Sequence, residues 1–179
     1  AGAHPVLALD TVRYVGDHVA MVVAETYLQA KSAAELINVD YDVLDAAADV
    51  GTAQDGSAPQ VHTEAPSNTC FDWELGNKAE TQAALKNAAH VIKLDLTNNR
   101  LIPNAMEPRA AIADYDTGTD EYTLWTTSQN PHVARLVLSA FVGVAPEHKL
   151  RVIAPDVGGG FGSKIFIYAE ETACTWASA

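Results

Sequence analysis

The sequence predicts an α+β chain in which short strands alternate with helices. The β-branched apolar run "HVAMVVAE" (His18–Glu25) is typical of a buried strand. The next segment, "TYLQAKSAAELI", begins with Thr26 and Gln29 at the spacing of a helical capping box. Near the end of the chain, the apolar run "KLRVIA" leads into a glycine-rich loop and then into an apolar helical pattern. The same strand-to-helix alternation therefore occurs in both halves of the chain.

A polar segment divides the chain. Before it, "NVDYDVL" (Asn38–Leu44) alternates apolar and polar residues as a strand does. Asp49–Thr69 is rich in Gly, Ser, Pro and Asp, which is typical of a surface linker. We therefore predict a first domain over residues 1–50, a linker over 51–69 and a second domain over 70–179.

The second half begins with a strand, a helix and another strand. The segments "CFDWELG" and "HVIKLDLTNN" are predicted strands, and the helix between them is capped by Asn77 with Glu80 three residues later. A hairpin follows, with "RAAIADYD" and "EYTLWTT" on either side of "TGTD". The pair Asn130-Pro131 predicts the start of a helix that runs to about Val142.

Charge and composition exclude several kinds of partner. The formal net charge of −12 argues against non-specific nucleic-acid binding and against anchoring to an anionic membrane. The longest apolar run, near Leu136–Ala145, is too short to cross a bilayer. Cys70 and Cys174 are far apart and form no C-x-x-C pair, which suits a reducing cytoplasm. The six histidines form no metal-ligand pattern, so we expect no protein-ligated metal.

The loop "APDVGGGFGSK" (Ala154–Lys164) is the most distinctive motif. It is not a P-loop, because Ser163 precedes Lys164 and Ile165 follows it. It also lacks the third glycine of the dinucleotide-binding pattern, since position 163 is serine. What remains is a run of backbone N–H groups able to form a nest for anionic oxygen or sulfur. The alternative is a tight glycine turn between a strand and a helix.

Two further segments are candidates for the same site. "TTSQN" (Thr126–Asn130) and the glycine loop each follow the carboxyl end of a strand, where open sheets bind ligands. Gln129 is therefore predicted to face the crevice of the glycine loop; alternatively, these residues only cap a helix. In "MEPRA", Glu107 is interpreted as a buried acid paired with Arg109, or alternatively as a functional carboxylate.

Together these motifs resemble one enzyme family. The segment "VRYVGDHVAMVVAETYLQAKSAAELINVDYDVL" is similar to the later part of the α/β-hammerhead domain of molybdenum hydroxylase large subunits. That family comprises xanthine dehydrogenase, aldehyde oxidase and carbon monoxide dehydrogenase. "TSQNPH" followed by "VIAPDVGGGFGSK" resembles the first molybdopterin-binding segments of the same subunits. The resemblance implies part of an α/β-hammerhead followed by the first βα portion of a molybdopterin-binding domain.

The resemblance also implies site residues and a cofactor. In the family, the glutamine of the first motif hydrogen-bonds an oxo ligand of molybdenum, a role that falls on Gln129. The backbone of the glycine–phenylalanine motif cradles the molybdenum centre, which corresponds to Gly159, Gly160, Phe161 and Gly162. The implied cofactor is molybdenum-molybdopterin in its cytosine dinucleotide form. Because the pterin supplies the sulfur ligands, the protein needs no cysteine or histidine cluster.

Substrate and partners follow from the same resemblance. Purine-oxidising members carry a glutamate where this chain has Ile165, so we expect an enzyme like carbon monoxide dehydrogenase, or one that hydroxylates aldehydes or N-heterocycles. The implied partners are the remainder of the large subunit, iron–sulfur and FAD-binding subunits or domains, and a small-molecule substrate. The family's general base lies outside this chain, and we expect the isolated chain to be inactive. The alternatives are a stand-alone anion- or nucleotide-binding module and a non-catalytic subunit-interaction fragment.

Overall fold

The computed structural model describes residues 4–99 and 101–179. The described residues form two compact units, one made of 4–41 with 102–179 and the other of 42–99 with Leu101. In chain order the helices and strands are α1 (Tyr27–Ala34), α2 (Lys78–Asn87), β1 (Ala111–Asp116), β2 (Glu121–Thr126), α3 (Pro131–Leu136), β3 (Leu150–Ile153) and α4 (Ala169–Ala177).

A three-stranded sheet, in the order β1-β2-β3, organises the unit that contains residues 102–179. β1 and β2 form the predicted antiparallel hairpin, in which Asp116 pairs with Glu121. The turn between them is held by Gly118, whose N–H donates to the Asp116 carboxylate at 2.8 Å. β3 lies parallel to β2, so the carboxyl ends of both strands meet at one edge of the sheet. The segments that follow these two strands are therefore neighbours.

The core of this unit lies between the sheet and the segment after α3. Leu124, Leu138, Ala145 and Leu150 are buried together. Leu124 comes from the central strand and Leu150 from its parallel neighbour, so the core fixes β3 against β2. α4 packs on β1 and β2, and α3 packs on β3.

The helix-capping predictions are confirmed. Thr26 and Gln29 form the complete capping box of α1, and the Asn77 side chain accepts from the Glu80 N–H at 3.1 Å to start α2. α3 begins at Pro131 and continues as a π-helix over Val137–Val142. It ends at Gly143, whose φ of 75° gives the left-handed cap that glycine adopts without a Cβ penalty.

The unit over residues 42–99 contains α2 and the predicted linker. Within the linker, the Asn68 side chain makes several hydrogen bonds. Its amide NH₂ group donates to the carbonyls of Ala53 and Pro59 at 2.8 and 2.9 Å. Its Oδ1 accepts from the Val61 N–H at 2.8 Å. The linker is thus an irregular loop with its own hydrogen bonds. The two compact units are defined by contacts within the chain and not as domains. The domain boundaries at residues 50 and 70 therefore stay a prediction.

Four predicted strands are not observed. The segments 18–25, 38–44, 70–76 and 90–99 belong to no β-ladder among the described residues. Their apolar side chains are largely exposed; Val43 and Ile92, for example, are both 92% accessible to solvent. A strand requires a neighbouring strand for its backbone N–H and C=O groups, and an isolated bond such as that from the Ala8 N–H to the His18 carbonyl at 2.7 Å forms no ladder. The predicted last helix also begins later, at Ala169 instead of Ile165.

Within the described ranges, no helix is both long and apolar enough to cross a membrane.

Candidate functional site

The structure brings Gln129 and the glycine loop together, as the parallel strand order requires. The Gln129 side-chain oxygen Oε1 accepts hydrogen bonds from the backbone N–H groups of Gly162 at 3.1 Å and Lys164 at 3.2 Å. The Gln129 backbone N–H donates to the Lys164 carbonyl at 2.8 Å. Three hydrogen bonds therefore fix Gln129 to the second half of the loop.

These bonds determine which way the Gln129 amide points. Two N–H donors can be met only by the carbonyl end, so Oε1 faces the loop and Nε2 faces away from those donors. Among residues 4–99 and 101–179, Nε2 has no hydrogen-bond acceptor, and the Gln129 side chain is exposed. The amide is thus an oriented donor available to a ligand.

The loop backbone offers two more donors beside Gln129. In the part of the chain that is described, the N–H groups of Gly160 and Phe161 have no protein acceptor, whereas those of the neighbouring loop residues do. A Cβ atom on Gly160 would overlap the Gln129 side chain, so glycine is required for this close approach. Gly160 therefore allows the loop to sit directly against Gln129.

Phe161 has an unusual backbone conformation. Its φ of 52° lies in the left-handed region, as do those of Gly159, two residues earlier, at 94° and of the next residue, Gly162, at 92°. A bulky non-glycine residue in this region costs about 1–3 kcal/mol, and such residues cluster at ligand sites. The phenyl ring is 76% exposed, so burial of the ring does not explain the strain. The left-handed conformation of Phe161 is instead part of the backbone path of the loop.

The base of the loop rests on the "MEPR" segment. The Gly158 N–H donates to the Glu107 carboxylate. The buried ammonium of Lys164 donates to the Glu107 carbonyl at 2.9 Å and lies 3.7 Å from the carboxylate. The interpretation of Glu107 as the partner of Arg109 is wrong, because Arg109 lies 3.7 Å from Glu170 instead.

A second set of contacts holds the far end of the loop. The Tyr168 hydroxyl donates to the Ser163 carbonyl, and the Arg109 guanidinium lies 3.6 Å above the Tyr168 ring. The buried Glu171 carboxylate accepts from the Tyr168 N–H at 2.9 Å and from the Thr126 hydroxyl. Sequence reasoning missed these contacts. The spacing of Tyr168 and Glu171 is that of a helix cap, but tyrosine is not a usual capping residue.

The alternative that Ser128–Asn130 only cap a helix explains part of this segment. Asn130 is the N-cap residue of α3, but its side chain makes no capping hydrogen bond. Its backbone N–H donates instead to the Ser128 hydroxyl at 3.0 Å. The Gln129 side chain takes no part in the cap, because it is bonded to the glycine loop.

The donor set of the site consists of neutral N–H groups. Within the described residues, no group of three His, Cys, Asp or Glu side chains could hold a metal ion. The groups without a protein acceptor in the described part of the chain, at Gln129 Nε2, Gly160 N and Phe161 N, are all neutral hydrogen-bond donors; Gln129 and Phe161 are exposed, and Gly160 is buried between them. Such donors suit electron-rich oxygen or sulfur atoms.

Comparison with known families and proteins agrees with this geometry. Residues 61–179 match the model of the molybdopterin cofactor-binding domain. Residues 1–45 match the aldehyde oxidase and xanthine dehydrogenase α/β-hammerhead domain. The carbon monoxide dehydrogenase large chain of Afipia carboxidovorans is 38% identical over 176 residues, which cover 92% of this chain and 22% of the relative. The nicotine 6-hydroxylase large subunit of Paenarthrobacter nicotinovorans is 35% identical, covering 93% of this chain and 20% of the relative.

Solved structures give the same result. A Cu,Mo-CO dehydrogenase in its carbon monoxide-reduced state superposes with a TM-score of 0.84 at 36% identity, covering 97% of this chain and 23% of that one. Quinoline 2-oxidoreductase from Pseudomonas putida 86 gives 0.78 at 32% identity, covering 97% and 22%. The chain thus spans about a fifth of the length of the curated relatives it matches. It belongs to the molybdopterin cofactor-binding domain family of molybdenum hydroxylase large subunits, with a preceding hammerhead segment.

Proposed function

We propose that this chain is part of the large subunit of a molybdenum-dependent oxidoreductase and holds one side of its molybdopterin cofactor. The observation that carries the proposal is the group of donors at Gln129, Gly160 and Phe161 that have no acceptor among the described residues and lie after the parallel strands β2 and β3. When bound, the cofactor supplies the redox chemistry and the sulfur ligands of its metal.

The residues of the chain orient and hold that group. Gln129 would hold the cofactor through Nε2, because Oε1 already accepts from Gly162 and Lys164. The N–H groups of Gly160 and Phe161 donate from the adjacent loop. All three are neutral donors, so they stabilise electron-rich atoms without changing protonation over the working pH range. The role of Gly159 and Gly162 is to give the backbone its positive φ values.

The substrate is proposed to be carbon monoxide, an aldehyde or an N-heterocycle. Ile165 is 39% exposed and Phe166 is 69% exposed, directly after the buried Lys164. The resemblance places a substrate-binding glutamate of purine-oxidising members at position 165. An aliphatic residue there favours carbon monoxide, aldehydes or N-heterocycles over xanthine. Relatives named as carbon monoxide dehydrogenase and nicotine 6-hydroxylase support this range.

The cofactor form, partners and location complete the proposal. We propose the cytosine dinucleotide form of molybdopterin, electron-accepting iron–sulfur and FAD-binding subunits or domains, and a cytoplasmic location. The relatives are named as large chains or subunits, which supports assembly with further subunits.

Purification of the full-length protein with its partners tests the proposal. Metal analysis is expected to give about one molybdenum per large subunit, and acid hydrolysis is expected to release CMP. Oxidation of carbon monoxide, an aldehyde and an N-heterocycle is then compared with oxidation of xanthine. A folded complex without molybdenum would contradict the proposal. Binding of phosphate or a nucleotide by such a complex would instead favour an anion-binding module.

A further inference from the structure

Glu107 connects two parts of the site that are far apart in sequence. It lies four residues before β1, and its carboxylate accepts a hydrogen bond from the N–H of Gly158, the first glycine of the loop. A Cβ atom on Gly158 would lie 2.6 Å from the Glu107 Cβ, so the two backbones are close together. The carboxylate thus contacts the loop two residues before the free donor of Gly160.

Lys164 fixes the position of the Glu107 carboxylate. Its side chain is 2% exposed, and among the described residues Glu107 is the acidic partner within 4 Å of its ammonium group. A buried ammonium without a paired carboxylate is strongly destabilising, so this pair restricts where the carboxylate can lie. Lys164 also donates its backbone N–H to Gln129 Oε1 at 3.2 Å. One connected network therefore runs from Glu107 through Lys164 to Gln129.

We propose that Glu107 is a positioning residue of the cofactor site. By holding the Gly158 N–H, it sets the direction in which the N–H groups of Gly160 and Phe161 point. This inference rests on the proposed function, since those N–H groups and Gln129 are the proposed cofactor donors. Glu107 acts through the loop and is not itself a donor to the cofactor.

Two double variants separate the effect of the hydrogen-bond acceptor at position 107 from the effect of the charge there. In Glu107→Gln/Lys164→Met, both charges are removed but an oxygen that can accept from Gly158 remains. Glu107→Leu/Lys164→Met removes the same two charges as the first double variant, but it leaves no acceptor for the Gly158 N–H. Neither double variant leaves a buried charge without a partner, so their difference reports on the acceptor. Glu147→Gln is the control, because it weakens an ion pair with Arg135 (2.7 Å) outside the loop contacts.

The experiment uses the full-length large subunit with its partner subunits. Two measurements are made on each variant: the molybdenum(V) EPR spectrum with molybdenum content, and hydrogen exchange of the peptide over 154–164. For the Leu double variant we expect an altered EPR spectrum, faster loop exchange and molybdenum content or reduction rate lower by about 10–100-fold. The Gln double variant keeps an acceptor for Gly158 but loses the Lys164 ammonium, so we expect smaller changes in it than in the Leu double variant. Glu147→Gln is expected to resemble the wild type.

Equal loop exchange and equal EPR spectra in the two double variants would overturn the proposal and leave Glu107 a purely structural residue. If the Leu double variant does not fold, Glu107→Asp replaces it. This variant keeps the charge but draws the carboxylate back by one methylene from Gly158 and Lys164, and unchanged loop exchange in it would likewise overturn the proposal. A wild-type complex without molybdenum would contradict the proposed function, whereas loop exchange would still decide the role of Glu107.

Discussion

Gln129 accepts a hydrogen bond from the Gly162 N–H at 3.1 Å, across 33 residues of sequence. This contact uses the oxygen of the amide and leaves the NH₂ group as the available end. Because β2 and β3 are parallel, the residues after both strands reach the same edge of the sheet, and the contact follows from that topology. The direction of the Nε2 donor therefore depends on this orientation of the Gln129 amide.

The close approach of Gly160 to Gln129 gives the first prediction. In Gly160→Ala, the added methyl group would overlap the Gln129 side chain and force it out of position. We expect a stability loss of about 1–3 kcal/mol, as for overpacking, and loss of molybdenum from the full-length subunit. Gly56→Ala is the matched control, since a Cβ there has no neighbour within 4 Å. Equal molybdenum content in the two variants would show that the approach is not required.

The second prediction concerns the buried acid at the start of α4. Glu171→Ala leaves the Tyr168 N–H and the Thr126 hydroxyl without their acceptor. The expected cost is about 1–3 kcal/mol for each group left unsatisfied, seen as a lower thermal unfolding midpoint of the full-length subunit.

Glu170→Ala is the control for this prediction. Its contacts with Arg109 and His18, at 3.7 and 3.5 Å, are half exposed, so its loss should cost no more than about 1 kcal/mol. A midpoint for Glu171→Ala that equals that of Glu170→Ala would contradict the assigned contacts.

The third prediction concerns the chain as a separate polypeptide. We expect residues 1–179 alone to carry no stoichiometric molybdenum and to oxidise no carbon monoxide, aldehyde or N-heterocycle. The proposed site holds the cofactor from one side, through three donors, which is too few for a metal–pterin cofactor of this size. Metal analysis of the purified chain is the measurement. About one molybdenum per chain would show that these donors suffice.

The sequence predicted the local features that depend on few residues. Capping by Thr26 and Asn77, the hairpin turn and the glycine loop each follow from chemistry within a few positions. The proximity of Gln129 to the loop was also predicted. Both segments follow the carboxyl ends of apolar strands, and open sheets bind ligands at that edge.

The remaining features depend on partners that are distant in sequence. The segment 90–99 has the alternation of a strand, yet it belongs to no ladder among the described residues. The pairing of Glu107 with Lys164 instead of Arg109 spans 57 residues. Nothing in the local pattern distinguishes these two cations, and only the path of the loop brings Lys164 under the carboxylate.

The measurement that tests the account most directly is single-turnover reduction of full-length Gln129→Glu, normalised to its molybdenum content. The carboxylate can still accept from Gly162 and Lys164, so the loop contacts are kept, but the Nε2 donor is gone. Loss of one preorganised donor is expected to lower the rate by about 10²–10³-fold, and Gln129→Leu should lower it at least as much. An unchanged rate in Gln129→Glu would contradict the account and leave Gln129 a structural residue of the loop.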